Sequence, residues 1–203
     1  MKRCLLLLLA LLTLSACAAQ DTAEDRAAAL QSRYAASDGC KARVEADVAS
    51  GEEMRHYVLD MEQSDDETRV TVCEPEALAG ISAVLHRGAP LTLAYDGTVL
   101  DAGNADTPVN AANASDVVLR AIAEGCLTEC GTARCGDTAD ALRLCFETEQ
   151  AGEKLLVAVW FDAADAPLYA EIEFRGEILA YLQFTDFTFR DKIPESSSQK
   201  RDV

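Results

Sequence analysis

The cysteine at position 17 has the surroundings that most directly specify a chemistry. It ends the sequence Leu-Ser-Ala-Cys, which follows a basic start, Met-Lys-Arg, and an apolar run over residues 4–14. Small residues before a cysteine at the end of such a run form a bacterial lipobox, in which the thiol accepts diacylglycerol and the chain is cleaved just before it. We expect residues 1–16 to be a signal peptide and Cys17 to carry lipid. The alternative is an ordinary export signal cleaved near Ala19, with Cys17 discarded.

Lipidation at Cys17 would determine where the protein resides. The apolar run has 11 residues, whereas a membrane-spanning helix needs about 20. Two or three acyl chains hold a protein stably on a membrane, because each buried CH₂ contributes about 0.8 kcal/mol. We therefore predict an exported protein, lipid-anchored on the extracytoplasmic face of a bacterial membrane through a tether over residues 17–25.

Six further cysteines could form disulfides, remain free thiols or bind a metal. An even number of cysteines outside the cytoplasm favours disulfides, in pairings that the sequence does not determine. A zinc site is disfavoured because the clustered cysteines lack compact C-x-x-C pairs and have no nearby histidine. The absence of C-x-x-C also disfavours thioredoxin-type redox chemistry. The candidate disulfide cysteines are Cys40, Cys73, Cys126, Cys130, Cys135 and Cys145.

No set of residues forms a recognisable catalytic motif. His56 and His86 are the only histidines, and the sequence contains no G-x-S-x-G, H-E-x-x-H or P-loop pattern. The acidic residues at 65–67 and at 162 and 165 fall in predicted turns, where solvated acids are common. We predict no catalysis, no cofactor and no metal.

Composition and charge limit the class of partner. The chain has 203 residues, 49% of them hydrophobic, and a net charge of −17. This size and apolar content predict one folded domain with a sizeable core. The strongly acidic surface would repel phosphate backbones, so nucleic acid is excluded as a partner.

The hydrophobic pattern predicts a mainly antiparallel β fold. A helix is predicted near residues 21–34, followed by alternating apolar strands, an Asp-Gly hairpin at 96–97, and a second helix at 115–124 that starts at Asn113 or Ser115 and stops at Gly125. Further strands follow from residue 142 to 189, and residues 191–203 form a polar, disordered tail. The fold class is α+β: a curved sheet or unclosed half-barrel of about ten strands, with two or three helices on its concave side.

The faces of the predicted strands suggest where a ligand could bind. The strand at 168–174 has one apolar and one acidic face, whereas the strand at 155–161 is apolar on both faces and is expected to be covered on both sides. The apolar face either forms a filled core or lines a cavity, and the sequence leaves both open. Residues that would line such a cavity are Val44, Leu93, Tyr95, Val157, Val159, Phe161, Ile172, Phe174, Leu182 and Phe184.

The order of elements resembles a known superfamily. The relevant features are the lipobox, a helix, a meander with a Pro and Gly turn at residues 73–80, the sequence Leu-Ala-Tyr-Asp-Gly at 93–97, and a closing pair of strands over 160–187 that contains Trp-Phe-Asp, Ala-Pro-Leu and Ala-Glu-Ile. Together they resemble the outer-membrane lipoprotein carrier and sorting superfamily, the LolA/LolB-like half-barrels, over a domain at residues 26–190.

The resemblance implies a non-catalytic lipoprotein that binds a hydrophobic ligand, an acyl chain or a lipoprotein, inside an unclosed barrel with a helical lid. The lipid anchor departs from the soluble carrier and looks more like the anchored receptor. Anchored relatives also include a spore-germination lipoprotein, which implies an alternative: an adaptor that binds an envelope enzyme such as a spore-cortex amidase. The six internal cysteines depart from both types.

Overall fold

The computed structural model describes residues 23–64, 67–87, 89–103 and 108–190, without side-chain burial for residues 100–103. The predicted signal peptide, the predicted lipidation site at Cys17 and the predicted tail lie outside these residues.

Two helices and eleven strands make up the described chain, with a short 3-10 turn at Glu76–Leu78. The helices are α1 (Ala23–Ala36) and α2 (Ala114–Glu124). The strands are β1 (Gly39–Ser50), β2 (Glu53–Ser64), β3 (Glu67–Glu74), β4 (Ser82–His86), β5 (Leu91–Tyr95), β6 (Thr98–Gly103), β7 (Cys126–Cys135), β8 (Thr138–Gln150), β9 (Glu153–Phe161), β10 (Pro167–Phe174) and β11 (Glu177–Phe189).

All eleven strands form one antiparallel sheet in the order β6-β5-β4-β3-β2-β1-β11-β10-β9-β8-β7. Each half is a meander, and the halves meet where β1 pairs with β11, for example Val44 opposite Phe184. The sheet does not close on itself, so β6 and β7 remain its edges. This is the predicted open half-barrel, with β7 as a strand that the sequence pattern did not predict.

The two faces of the sheet differ in polarity, because side chains alternate along each strand. On β1, Ala42, Val44, Ala46 and Val48 are at most 6% exposed, while the residues between them are half-buried or exposed. The buried side chains lie on the face that carries α1 and α2, which we call the inner face. The opposite face, the outer face, carries neither helix.

Strand β9 departs from the prediction that it is covered on both sides. Its inner residues Leu155, Val157 and Phe161 are fully buried, but Leu156 on the outer face is 44% exposed. The outer side of this apolar strand therefore contacts solvent.

Helix α2 ends as predicted, and Asn113, one of the two predicted N-cap residues, does occupy its N-cap position. Gly125 follows its last residue, and the Gly125 N–H donates to the Ala121 carbonyl at 2.9 Å. Asn113 precedes the helix, but its side chain makes no cap bond to it; instead Asn113 Oδ1 accepts from the Asn110 N–H at 2.8 Å. Within the described ranges, neither helix combines the length and apolarity required to span a bilayer.

Candidate functional site

The residues predicted to line a cavity belong mostly to the packed inner face. Val44, Val157, Val159, Phe161, Ile172, Leu182 and Phe184 are at most 4% exposed. Leu93 and Phe174 are half-buried and pack against this cluster, whereas Tyr95 is 58% exposed. The structure thus brings most of the predicted set together, with Tyr95 outside it.

The cavities among the described residues include three with volumes of about 200, 200 and 120 Å³. Small-molecule sites usually occupy roughly 300–1,000 Å³. Of the ten predicted residues, only Val157 borders any of these cavities. Most of the predicted residues therefore pack within the buried cluster of the inner face, and two of the cavities are bordered by residues of α2 such as Arg120.

Helix α1 covers part of the inner face with a small apolar contact. Its buried residues are Ala27, Leu30 and Tyr34. The Tyr34 ring lies among aromatic side chains, with centroid distances of 6.2 Å to Phe161 and 5.0 Å to Phe189. Burial raises the pKa of the Tyr34 phenol, which stays protonated and donates to the Asp165 carbonyl at 2.9 Å.

Polar contacts fasten α1 to the turn between β9 and β10, residues 162–165, which we call the latch turn. Arg26 Nη2 lies 3.1 Å from Asp165 Oδ1 and donates to the Asp162 carbonyl at 2.6 Å. Arg33 Nη1 lies 3.3 Å from Asp165 Oδ2 and donates to the Ala164 carbonyl at 2.9 Å. Both arginines of α1 therefore converge on one carboxylate.

The sequence does not reveal this latch, because acids in a turn are usually solvated turn formers. Asp162 does serve the turn: its Oδ1 accepts from the N–H groups of Ala164 and Ala166 at 2.8 and 2.9 Å. Asp165 instead pairs with α1. A signal was present, since Arg26 and Arg33 lie about two helical turns apart and so share a face of α1.

All six candidate disulfide cysteines are free thiols in the structure, so it shows none of the predicted disulfides. Cys40 is buried on the inner face. Cys73 lies on the outer face, where its Sγ is 3.2 Å from Asp60 Oδ2. Cys145 donates from the outer face to Glu129 Oε2 at 3.6 Å. The sheet therefore separates Cys40 from both of these thiols.

The remaining three cysteines lie on β7. Opposite residues of an antiparallel pair share a face, so Cys130, opposite the buried Leu144, faces inward. Cys126 is exposed and Cys135 is half-buried. Among the described residues, no group of three or more His, Cys, Asp or Glu side chains could hold a metal ion.

We expect the thiols to react with iodoacetamide in order of exposure. At pH 8, Cys126 is modified first, whereas Cys40 stays unmodified in the folded protein because burial raises its pKa to about 12. Peptide mass spectrometry over time measures this order, and unfolding in denaturant should expose every free thiol. A cysteine that resists alkylation even in denaturant, but reacts after reduction, would instead reveal a disulfide.

The two histidines lie apart from the latch turn. His56 Nδ1 is 3.0 Å from Asp47 Oδ1 on the outer face, and both side chains are more than half exposed. His86 lies 3.9 Å from Glu67 and borders a polar cavity. Of the predicted acidic turns, residues 65 and 66 lie outside the described residues.

No protein-family model and no curated protein matches the chain. Similar solved structures include a putative outer membrane lipoprotein-sorting protein domain from Vibrio parahaemolyticus, 13% identical, which covers 86% of this chain and 96% of that chain with a TM-score of 0.45. A LolA superfamily protein from Nitrosomonas europaea is 14% identical, with 81% and 94% covered and a TM-score of 0.41. The lipoprotein LppX from Mycobacterium tuberculosis is 10% identical, with 79% and 95% covered and a TM-score of 0.41. One of these similar structures is described as a LolA superfamily protein, and at these identities the likeness concerns the fold alone.

Proposed function

We propose that this chain is a non-catalytic lipoprotein of the bacterial cell envelope whose inner face binds a hydrophobic ligand, an acyl chain or a lipoprotein. Lipid attached to Cys17 holds it on the membrane. The observation that carries the proposal is an apolar inner face covered by a helix, α1, that buries only three of its residues and is held at its rim by polar contacts.

The two helices differ in how deeply they belong to the core. Helix α2 buries eight of its 11 residues against the inner face. Helix α1 buries three of its 14 residues. Burial of apolar side chains is the main favourable term in packing. Displacement of α1 should therefore cost less free energy than displacement of α2. Helix α1 is therefore the natural cover of a ligand site.

Displacement of α1 would uncover an aromatic surface suited to an acyl chain. The ring of Tyr34 now occupies this surface. Its centroid lies 6.2 Å from the ring centroid of Phe161, 6.0 Å from that of Phe187 and 5.0 Å from that of Phe189. An acyl chain that takes the place of Tyr34 and Leu30 would gain about 0.8 kcal/mol for each CH₂ that it buries. A chain of ordinary length would thus offset the loss of the contacts of α1.

A substitution in the latch turn tests whether α1 covers the ligand site. Asp165→Asn keeps the size of the side chain and suits the positive φ of 65° at this position, but it removes the charge that pairs with Arg26 and Arg33. We expect the variant of residues 18–203 to take up a fluorescent fatty acid about five-fold faster, because two partly exposed ion pairs together contribute about 1 kcal/mol. Stopped-flow fluorescence measures the rate.

Asp96→Asn is the matched control. Asp96 also has a positive φ, 46°, in a turn, and it is exposed. Uptake should be unchanged in this variant. Equal rates in wild type and Asp165→Asn would reject α1 as the cover, and the absence of saturable binding in all three proteins would reject the hydrophobic ligand itself.

A second candidate function is an adaptor for an envelope enzyme such as a spore-cortex amidase, and the close packing of most inner-face residues favours it. A protein that acts only by docking needs no cavity, and none of the three cavities described above reaches the usual ligand-binding size. Native mass spectrometry of residues 18–203 separates the candidates. A lipid mass that organic extraction removes supports the ligand binder, whereas a ligand-free mass supports the adaptor.

A further inference from the structure

Three aromatic side chains form a row on the outer face, across β9, β10 and β11. Trp160 lies opposite Tyr169 in the strand pairing, with ring centroids 5.3 Å apart. Tyr181 stacks on Tyr169 at 6.4 Å with an interplanar angle of 16°. All three side chains are half-buried, although neither described helix covers this face. The row therefore presents large rings to solvent.

At one end of the row, the chain itself supplies a cation. The Arg143 guanidinium carbon lies 5.1 Å from the centroid of the Trp160 ring. Arg143 Nη1 also lies 3.1 Å from Glu129 Oε2. A ring and a carboxylate thus bind one guanidinium group here, which combines a cation–π contact with an ion pair.

In the middle of the row, between Trp160 and Tyr181, a ring and a carboxylate meet without a cation that pairs with them. The Tyr169 hydroxyl donates to Glu171 Oε1 at 3.2 Å. Burial, aided by the nearby Glu171 charge, raises the pKa of the Tyr169 phenol, so it remains a donor at neutral pH. Among the described residues, no Lys or Arg side chain forms an ion pair with Glu171 or with Glu173.

A cavity of about 200 Å³ lies beside these acids on the outer face. Glu171, Glu173, Leu156 and Ile178 are among its lining residues, and Arg143 borders the cavity together with its ion-pair partner Glu129. This combination of carboxylates and apolar side chains suits a long cationic side chain. Its methylene groups can pack on the apolar surface while its charged end binds a carboxylate.

We propose that the cationic side chains of a basic polypeptide segment dock at Tyr169, Tyr181, Glu171 and Glu173, which we call the outer acidic site. The site sets aromatic rings beside carboxylates, as around Arg143, but no described Lys or Arg forms an ion pair with its two acids, and the net charge of −17 draws a basic partner toward the chain. The proposal does not depend on a ligand at the inner face, because the two sites lie on opposite faces of the sheet.

Binding of deca-arginine to the full chain in neutral detergent tests the proposal. Trp160 is the only tryptophan, so its fluorescence should change on binding and report contact at the row. We expect saturable binding that weakens with added salt and that is at least about five-fold weaker in the double variant Glu171→Gln, Glu173→Gln. Tyr181→Leu should weaken binding about three-fold without any change of charge.

The double variant Glu24→Gln, Glu76→Gln is the matched control. It removes the same number of carboxylates, one from α1 and one from the 3-10 turn, and should bind deca-arginine nearly as well as wild type. Equal weakening in both double variants would show attraction to net charge alone and overturn the proposal, as would binding that is unaffected by Tyr181→Leu. Fatty-acid uptake should remain normal in the outer-face variants, which distinguishes failure of this site from failure of the inner-face function.

Discussion

Gly39→Ala is expected to lower the free energy of unfolding by about 3 kcal/mol or more, since it combines backbone strain with a steric clash. Gly39 joins α1 to β1 and has a φ of 126°, in a region that side chains rarely adopt. A Cβ atom there would lie 1.9 Å from the Gln63 carbonyl oxygen. That oxygen belongs to the neighbouring strand β2, so relief requires movement of backbone.

Urea unfolding followed by circular dichroism measures this loss, with Gly51→Ala as the control. Gly51 also has a positive φ, 68°, but a Cβ atom there would meet nothing within 4 Å. The free energy of unfolding of the control should therefore fall by only about 1–2 kcal/mol, the cost of left-handed backbone strain. Similar losses in the two variants would show that β2 yields easily to the added methyl group, contrary to the tight junction seen here.

The alternation of apolar and polar residues was sufficient to predict most of the sheet. On β1 the predicted inner residues are Ala42, Val44, Ala46 and Val48, and these four are buried. The Asp-Gly sequence at 96–97 does form the turn between β5 and β6. These features are local, since a period of two and a two-residue turn need no knowledge of distant contacts.

Strand β7 was missed because its sequence lacks that alternation. It contains three cysteines and Gly131, and it lies at an edge of the sheet with register shifts near Leu127 and Ala133. An edge strand with bulges buries few side chains, so little hydrophobic periodicity remains to detect.

The contacts that define both candidate sites depend on tertiary structure. Arg26 and Asp165 are 139 residues apart in the chain, and no local pattern pairs a helix arginine with a distant turn. The outer acidic site had a partial signal in the apolar outer residues of β9, such as Leu156 and Trp160. These residues predict that a second layer covers β9, whereas in the structure neither described helix covers the outer face and Leu156 is exposed.

Leu30→Ala is expected to weaken the attachment of α1 more than any single change at the latch turn. Leu30 is 1% exposed and is the largest aliphatic side chain that α1 buries. Its truncation should lower the free energy of unfolding by about 2–4 kcal/mol. If α1 covers the ligand site, the same change should speed fatty-acid uptake by about ten-fold or more, because part of the lost packing energy is the energy that holds the cover closed.

Leu155→Ala distinguishes release of the cover from general destabilisation. Leu155 is also 1% exposed, but it lies on β9 in the sheet, so its truncation should cost a similar free energy of unfolding while leaving uptake near the wild-type rate. Hydrogen exchange adds an independent measure: Leu30→Ala should lose protection in α1 before the strands do, whereas Leu155→Ala should lose it mainly in the sheet. Uptake that rises equally in both variants would mean that the ligand enters through global opening, and α1 would then be an ordinary part of the core.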